Sequence, residues 1–457
     1  MKNVIWRAAL ATTAITVLAG CFSRTETANE TETAAAAAPV TPLPSQCDTP
    51  TTPFCSSTVP LPPNWQGNVF QLAQNYPQAP PTDTKPWLRY DPRTQPDQYI
   101  RAVLAYFYQG NIRPSVEASF NPALNHVRGW FNAPWQDAGF NGREPIHGLT
   151  RERVTPPGEL HRCQTQAWNN YAVGFYNGAG ATTLGKIWAN HGQPDPTQAI
   201  MPEGSVGAKL LFTTAPVSQA PYLAGSPTWN ALVYPPNYNP PPGPPPPAPP
   251  RTVQQVRLLQ IDIAVKDNRV PTGWVFGTFV YGGGPQGPPD APCPPASSTP
   301  DPVGTNWNGV QPIGLMWGND PGYSGTGPLT ETWLNPAVHM PHVGYQGRLN
   351  GPVDNPASSC MSCHSTAQWP AAASMIPPAI PPATAAQVAP WFQNIPSGTP
   401  FTPGSTPLDY SLQVQVGFRN FTTRNAQANP RMPAATRAAL TAELRDATPP
   451  RDGATTD

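Results

Sequence analysis

Charged side chains are scarce in this sequence. Asp, Glu, Lys and Arg make up 11% of the 457 residues, and 26 basic residues balance 26 acidic ones. No basic run interrupts that balance, which argues against a nucleic acid as partner. The chain also lacks a GxSxG elbow, a P-loop and an HExxH motif. No sequence pattern therefore supports nucleophilic hydrolysis, Walker-type phosphate binding or a zinc-protease site.

Long apolar runs are equally rare. The single candidate lies at the N-terminus, where a run too short to span a bilayer follows two basic residues and ends at Cys21 in the sequence Leu-Ala-Gly-Cys. We predict a lipoprotein signal peptide over residues 1–21, lipidated at Cys21, with a plain secretory signal as the alternative. Residues 22–60 begin with a Thr-, Ala- and Glu-rich run without apolar periodicity, which predicts a flexible tether. Because the residue after the cysteine is Phe rather than Asp, analogy with enteric sorting favours a periplasmic protein anchored in the outer membrane.

Proline, by contrast, is abundant, with 67 residues. Because proline fixes φ and removes a backbone donor, we expect few long helices and many irregular connections. The 14 Trp, 14 Tyr and 15 Phe residues supply enough apolar surface for a core, which distinguishes the chain from a disordered Pro-rich one. The densest proline run, residues 235–251, predicts a polyproline II insertion on the surface.

The most informative stretch runs from Cys360 to His364 and reads Cys-Met-Ser-Cys-His. Cys-x-x-Cys-His is the attachment sequence of a covalent c-type haem. In this interpretation Cys360 and Cys363 bond the porphyrin, and His364 binds the iron as the proximal ligand. The alternatives are a disulfide, a thioredoxin-like dithiol and half of a zinc site. A zinc site needs a second ligand pair, whereas the other cysteines stand far apart, so the sequence predicts one covalent haem c.

Four further cysteines remain once the haem motif and the lipidation site are set aside. They are Cys47, Cys55, Cys163 and Cys293. An even number in an oxidising compartment predicts two disulfides. Cys47 with Cys55 would close a short loop and Cys163 with Cys293 a long one, but the sequence leaves all three pairings open.

Apolar periodicity locates several helices and strands. Helical spacing predicts an amphipathic helix over 96–108, a second helix over 183–190 and a short C-terminal helix from about residue 434 to 447. Runs rich in β-branched and aromatic residues predict strands over 171–176, 205–213, 256–265 and 274–281. A strand, a helix and then three strands favour an antiparallel sheet that carries one packed helix. The predicted fold class is α+β, mainly β, with much irregular Pro-rich structure.

After the tether, the chain divides into three predicted parts. Residues 61–165 form an N-terminal segment wrapped over the core. Residues 166–372 form a β-rich haem-binding core that contains the Pro-rich insertion, and residues 373–457 form a C-terminal extension.

Several blocks in the predicted core follow a familiar order. They are YAVGFYN, a helix ending in GKIW, MPEGSVGAKLLF, IDIAVKDNRVPTGWVFGTFVY and SSCMSCHS. In this order they resemble the cytochromes P-four-sixty and the related beta-type cytochromes c-prime, which are small antiparallel β proteins with one c-type haem near the C-terminus. The resemblance covers residues 166–370 and is interrupted by the Pro-rich insertion and by residues 285–359.

The resemblance implies roles for two strand residues. Lys209 lies where the P-four-sixty cytochromes have a lysine crosslinked to the haem; an ordinary solvent-facing strand lysine is the alternative. Asp262 lies where those enzymes have a distal glutamate, and a carboxylate there could accept protons from a haem-bound nitrogen substrate. Asp262 is one methylene shorter than glutamate, and no arginine like the family's partner is evident.

Two functional alternatives differ in whether the iron has a second axial ligand, opposite His364. An open position suits a haem site that binds or oxidises small nitrogen ligands such as hydroxylamine or NO, whereas a second strong ligand makes an electron-transfer cytochrome with a periplasmic redox partner. Met432 is one candidate ligand, because a Met-Pro after the motif resembles class I cytochromes c; the others are His339, His342 and Met375. Against class I, residues 351–356 contain two prolines and cannot form the helix that precedes the motif there. We expect the open site, leave enzyme activity undecided, and retain a structural lipoprotein as a third alternative.

Overall fold

The computed structural model describes residues 59–136, 143–235, 250–284, 292–296, 300–338, 343–378 and 384–428. These residues belong to one compact unit. Several predicted features lie outside them: the signal peptide with Cys21, nearly all of the tether, Cys47, Cys55, His339, His342, Met432, the helix at 434–447 and most of the Pro-rich insertion.

An antiparallel sheet forms the centre of the described structure. Its strands are β1 (Trp130–Phe131), β2 (Thr150–Arg151), β3 (Asn170–Asn177), β4 (Val206–Thr213), β5 (Thr228–Val233), β6 (Thr252–Lys266), β7 (Trp274–Tyr281), β8 (Val310–Met316) and β9 (Thr332–Leu334). The order is β1-β3-β4-β6-β7-β8-β9, with β2 also paired to β3 and β5 to β6. Every one of these pairings is antiparallel. The predicted fold class is confirmed.

Helices and irregular chain cover the two faces of this sheet. The helices are α1 (Pro96–Asn111), α2 (Pro114–Glu117), α3 (Gly178–Ile187), α4 (Cys360–His364), α5 (Ala385–Val388) and α6 (Leu412–Ala428). A separate two-stranded sheet pairs β10 (Gln368–Trp369) with β11 (Thr406–Pro407).

One sheet face packs against α1. Ile100, Val103 and Phe107 recur at helical spacing, and all three are buried in the cluster that includes the inward side chains of β3, β4 and β6. Gly277 of β7 permits the close approach of the helix, because a Cβ there would lie 2.6 Å from Cδ1 of Ile100. The amphipathic stripe seen in the sequence is therefore a packing face.

The other sheet face packs against the C-terminal part of the chain. Phe276 of β7 and Met316 of β8 are buried in a second cluster with Met361 of α4 and Phe418 of α6. Since Met361 lies between the two cysteines of the haem motif, burial of its side chain holds α4 against this face. The sequence motif and the sheet are thus in direct contact.

Most predicted element bounds agree with the structure, but α3 differs. The predicted helix spans 183–190 and begins after the glycines at 178 and 180. The helix in fact begins at Gly178, where the Asn177 side chain accepts a hydrogen bond from the Gly180 N–H and caps the first turn. Strands β5, β8 and β9 and helix α6 were not predicted. In β8, Pro312 and Gly314 weakened the strand signal.

A disulfide joins two irregular segments of the described chain. Cys163 and Cys293 are bonded, with 130 residues of sequence separation, which is one of the pairings that the sequence left open. Residues 351–356 contain no helix, as their prolines predicted. Among the described residues, none of the helices has the length and apolar character needed to span a bilayer.

Candidate functional site

The haem motif forms a single helical turn, α4, with a reciprocal cap. The Ser362 N–H donates to Oγ of Ser359 at 3.1 Å, and the Ser359 N–H donates to Oγ of Ser362 at 2.7 Å. This capping box satisfies backbone groups that so short a helix leaves unpaired. Cys360 and Cys363 are three residues apart and therefore lie on the same side of the turn. Both are free thiols and partly exposed.

The imidazole of His364 is held in one tautomer. Its Nδ1 lies 2.8 Å from the carbonyl oxygen of Tyr410. Because a carbonyl oxygen only accepts, Nδ1 carries the proton and Nε2 keeps its lone pair. Burial lowers the pKa of His364 to about 4, against the hydrogen bond to Tyr410, so the ring is neutral near pH 7. The Phe276 ring packs 4.7 Å from the imidazole between centroids.

A partly exposed patch interrupts the buried sheet face beside α4. Its members are Gly174 of β3, Gly207 and Lys209 of β4, and Asp262 and Ala264 of β6; the other residues of β3 and β4 are buried. Strand alternation places them on one face, and Gly174, Lys209 and Asp262 are direct cross-strand neighbours. Three of the five have no side chain beyond Cβ. We call this the sheet patch; the side chain of Gln413 in α6 lies against it at Gly174.

Asp262 is the acidic member of the sheet patch. Its Oδ1 accepts from the Thr278 hydroxyl at 2.8 Å and its Oδ2 from the Gln260 amide at 2.7 Å. Burial, with repulsion from Asp354, raises the pKa of Asp262 to about 8 despite these hydrogen bonds. Thr278 also contacts Sγ of Cys360 at 3.6 Å. One hydroxyl thus connects the carboxyl group of Asp262 with the haem motif.

Lys209 is the basic member of the sheet patch. Its Nζ lies 2.9 Å from Oε1 of Glu152, and the Lys209 side chain is 33% exposed. Burial acts to lower the pKa of the amine, but attraction from Glu152, with smaller effects of Asp354 and Asp262, raises it overall. Lys209 is therefore charged near pH 7, beside the haem motif and not on a fully exposed strand face.

The structure brings Lys209 and Asp262 together with the haem motif. Lys209 and Asp262 are paired across strands, and Thr278 connects Asp262 to Cys360. Met375 lies in irregular chain after the motif and is partly exposed.

Sequence reasoning missed residues that complete this site: Glu152, Gln260, Thr278, Asp354 and Tyr410. Strand alternation could have placed Gln260 on the same face as Asp262. Thr278 lies in the predicted strand over 274–281, but its pairing with Asp262 depends on the register between β6 and β7. Glu152, Asp354 and Tyr410 come from chain segments whose proximity has no local signal.

The geometry opposes two alternatives for the motif. Burial raises the pKa of Cys363 to about 12 and that of Cys360 well above its usual value, whereas a redox dithiol needs a thiol with a lowered pKa. Among the described residues, no three His, Cys, Asp or Glu side chains are arranged to hold a metal ion. Two free thiols on one helical turn and a neutral imidazole whose Nε2 keeps its lone pair fit a covalent haem.

The raised pKa of Asp262 predicts a pH dependence of stability. Between about pH 4 and 8, Asp262 keeps its proton in the folded protein. In the unfolded chain, where the carboxyl pKa is near 4, Asp262 has released that proton. The contribution of Asp262 to the free energy of unfolding should therefore fall as the pH rises from about 4 to 8, while the lowered pKa of His364 acts in the opposite direction below about pH 6.5. Asp262→Asn removes only the first contribution, so the unfolding free energy of the variant, measured in urea, should gain on that of the wild type as the pH rises over this range.

Asp97→Asn is the matched control, because Asp97 is partly exposed and lies on α1, away from the sheet patch. It should keep the wild-type pH slope. A wild-type slope in Asp262→Asn would contradict the raised pKa.

Comparison of the chain with family models, with curated proteins and with solved structures finds no match.

Proposed function

We propose that this chain is an extracytoplasmic, lipid-anchored c-type cytochrome with one covalent haem, whose iron binds or oxidises small nitrogen ligands. One observation carries the proposal: the carbonyl of Tyr410 holds Nδ1 of His364, which leaves Nε2 as a metal ligand directly after two free thiols on one turn. Metal-binding histidines ordinarily donate their second ring N–H in this way. The motif thus has the tautomer that haem ligation requires.

The residues around the motif support a reactive centre. When bound, haem iron supplies one-electron chemistry and a position for a small ligand. Asp262 holds a proton near neutral pH, and the hydrogen bonds from Thr278 and Gln260 fix its orientation. A carboxyl group with a pKa close to the working pH both accepts and donates protons efficiently. Asp262 is therefore our candidate for proton exchange with a ligand such as hydroxylamine.

Lys209 adds a second point of interaction. Its charged amine lies on the same sheet patch, and the resemblance to the P-four-sixty cytochromes suggests a covalent bond from this amine to the macrocycle. The ion pair between Nζ of Lys209 and Oε1 of Glu152, at 2.9 Å, fixes the position of this amine on the sheet patch.

The proposed location follows from the leader and the cysteines. Residues 1–21 have the pattern of a lipoprotein signal peptide ending at Cys21. The bond between Cys163 and Cys293 suits an oxidising compartment such as the periplasm. Attachment of haem c in bacteria takes place in the same compartment.

An optical spectrum tests the proposal. The chain is produced in a bacterium with the cytochrome c maturation system, purified, reduced and titrated with NO. We expect a five-coordinate ferrous haem whose spectrum changes on NO addition and whose Soret band is shifted to the red. Lys209→Ala should move that band back to shorter wavelength, whereas Lys186→Ala, which changes a lysine of α3, should leave it unchanged.

Each alternative has its own spectral outcome. A six-coordinate, low-spin spectrum indifferent to NO would contradict the ligand-binding proposal and favour electron transfer. A Lys209→Ala protein with wild-type spectrum and haem-peptide mass would remove the crosslink. A purified protein without haem would overturn the proposal as a whole.

A further inference from the structure

A tight turn beside the haem motif has a strained backbone. The Ser411 N–H donates to the carbonyl oxygen of Leu408 at 2.9 Å and closes a four-residue turn. Its central residues both have positive φ, 46° at Asp409 and 65° at Tyr410. Turns of this kind favour Asn and Gly, because a Cβ is crowded in the left-handed region. Asp tolerates this conformation but Tyr does so rarely, so contacts outside the turn must stabilise it.

The strained residue is the one that orients His364. The carbonyl oxygen of Tyr410 accepts the hydrogen bond from Nδ1 of His364 at 2.8 Å. The turn is also docked on the segment that follows α4, because the Leu408 N–H donates to the carbonyl oxygen of Ala367 at 2.9 Å. A change of φ at Asp409 or Tyr410 would rotate this carbonyl away from the imidazole.

The Asp409 side chain supplies the external contacts. Its carboxylate is fully buried, and Nζ of Lys266, itself 4% exposed, lies 3.1 Å from Oδ1. Oδ1 also accepts from Nε1 of Trp274 at 2.9 Å and from the Ser397 hydroxyl, and Oδ2 accepts from the Met201 N–H at 2.8 Å. These donors come from separate segments of the chain. A buried carboxylate with such a complete set of donors is held in one position.

We propose that Asp409, anchored by Lys266, is a positioning residue for the proximal histidine. The anchor keeps the turn in its strained conformation, the turn aims the Tyr410 carbonyl at Nδ1, and that hydrogen bond increases the donor strength of Nε2. A stronger imidazole donor favours the ferric state and lowers the reduction potential. The inference rests on the proposed haem function and adds the residue that tunes it.

Two substitutions at Asp409 test the inference in the haem-loaded protein. Asp409→Asn keeps the shape of the side chain and tolerates positive φ, but it loses the ion pair with Lys266. Asp409→Ala removes every acceptor. We expect a lower Fe–His stretching frequency by resonance Raman and a reduction potential shifted to more positive values, with the larger shifts in Asp409→Ala.

Asp267→Asn is the matched control. Asp267 follows Lys266 in sequence and is equally buried, but its carboxylate binds Arg269 and Tyr99. Its loss should lower the melting temperature and leave the stretching frequency and the potential unchanged. Comparison of Asp267→Asn with the Asp409 variants therefore distinguishes an effect on the orientation of the imidazole from a general loss of stability.

A glycine variant tests the backbone step. Tyr410→Gly keeps the carbonyl group and removes the strain, because glycine adopts positive φ without steric cost. Added to Asp409→Asn, it should return the stretching frequency toward the wild-type value.

The outcomes distinguish this inference from the function on which it rests. Haem-loaded Asp409 variants with wild-type frequency and potential would overturn the inference alone. A wild-type chain that carries no covalent haem would overturn the proposed function and this inference with it.

Discussion

Replacing Cys360 and Cys363 together by serine is expected to abolish covalent haem attachment. Each thioether needs a cysteine sulfur, and both sulfurs lie free on the same side of α4. After denaturing electrophoresis the variant should show no haem-stained band, and the intact mass should equal that of the polypeptide alone. His364 and its hydrogen bond to Tyr410 remain, so any haem that still binds should be extracted by acidified solvent.

Single substitutions refine this prediction. Cys360→Ser and Cys363→Ser should each retain one thioether, which leaves a stained band of lower intensity and a shifted pyridine haemochrome. Covalent haem in the double variant would contradict the attachment through these two residues. It would also require attachment elsewhere, for which Lys209 is the candidate.

Removal of the disulfide is expected to produce the largest loss of stability. A crosslink between residues 130 positions apart restricts the unfolded chain strongly. On the chain-entropy view, breaking it should lower the free energy of unfolding by about 2–5 kcal/mol. Urea denaturation of Cys163→Ser with Cys293→Ser should show this as a lower midpoint.

The same double variant is the control for haem attachment. It changes two cysteines of the described chain without touching α4, so it should keep its haem-stained band. Reduction of the wild-type disulfide should reproduce the destabilisation. A variant with the wild-type unfolding midpoint would contradict a stabilising role for this bond.

Local patterns predicted a large part of the fold. The strand predicted over 171–176 is β3 (Asn170–Asn177), and that over 274–281 is β7 with the same bounds. These segments are recognisable because buried central strands carry continuous β-branched and aromatic residues. The apolar stripe on α1 could also be predicted, since helical spacing of apolar residues identifies a packing face.

Other elements had no sufficient local signal. Strand β9 (Thr332–Leu334) is only three residues long and exists because β8 offers an unpaired edge. Helix α6 (Leu412–Ala428) has many polar residues, and its packing face is defined by contacts with Trp188 and Trp369. Such elements depend on partners that are distant in sequence.

In the candidate site, too, some features could be predicted from local sequence patterns and others could not. Pairing of Lys209 with Asp262 follows from the register between β4 and β6. A shift of one residue in β4 would turn Lys209 to the opposite face of the sheet, and the same shift in β6 would turn Asp262 there. Glu152 and Asp354 approach the site from irregular chain, for which neither spacing nor periodicity gives an indication.

The sequence by itself determined the predicted chemistry of attachment, because two thiols and an imidazole within five consecutive residues share one helical turn wherever that turn lies. Only the tertiary structure decided what surrounds it: the carbonyl of Tyr410 at His364, the raised pKa of Asp262 and the anchor at Asp409. Each of these joins groups far apart in the chain. Their distances depend on strand register and on burial, which arise when the sheet and the C-terminal segment pack together.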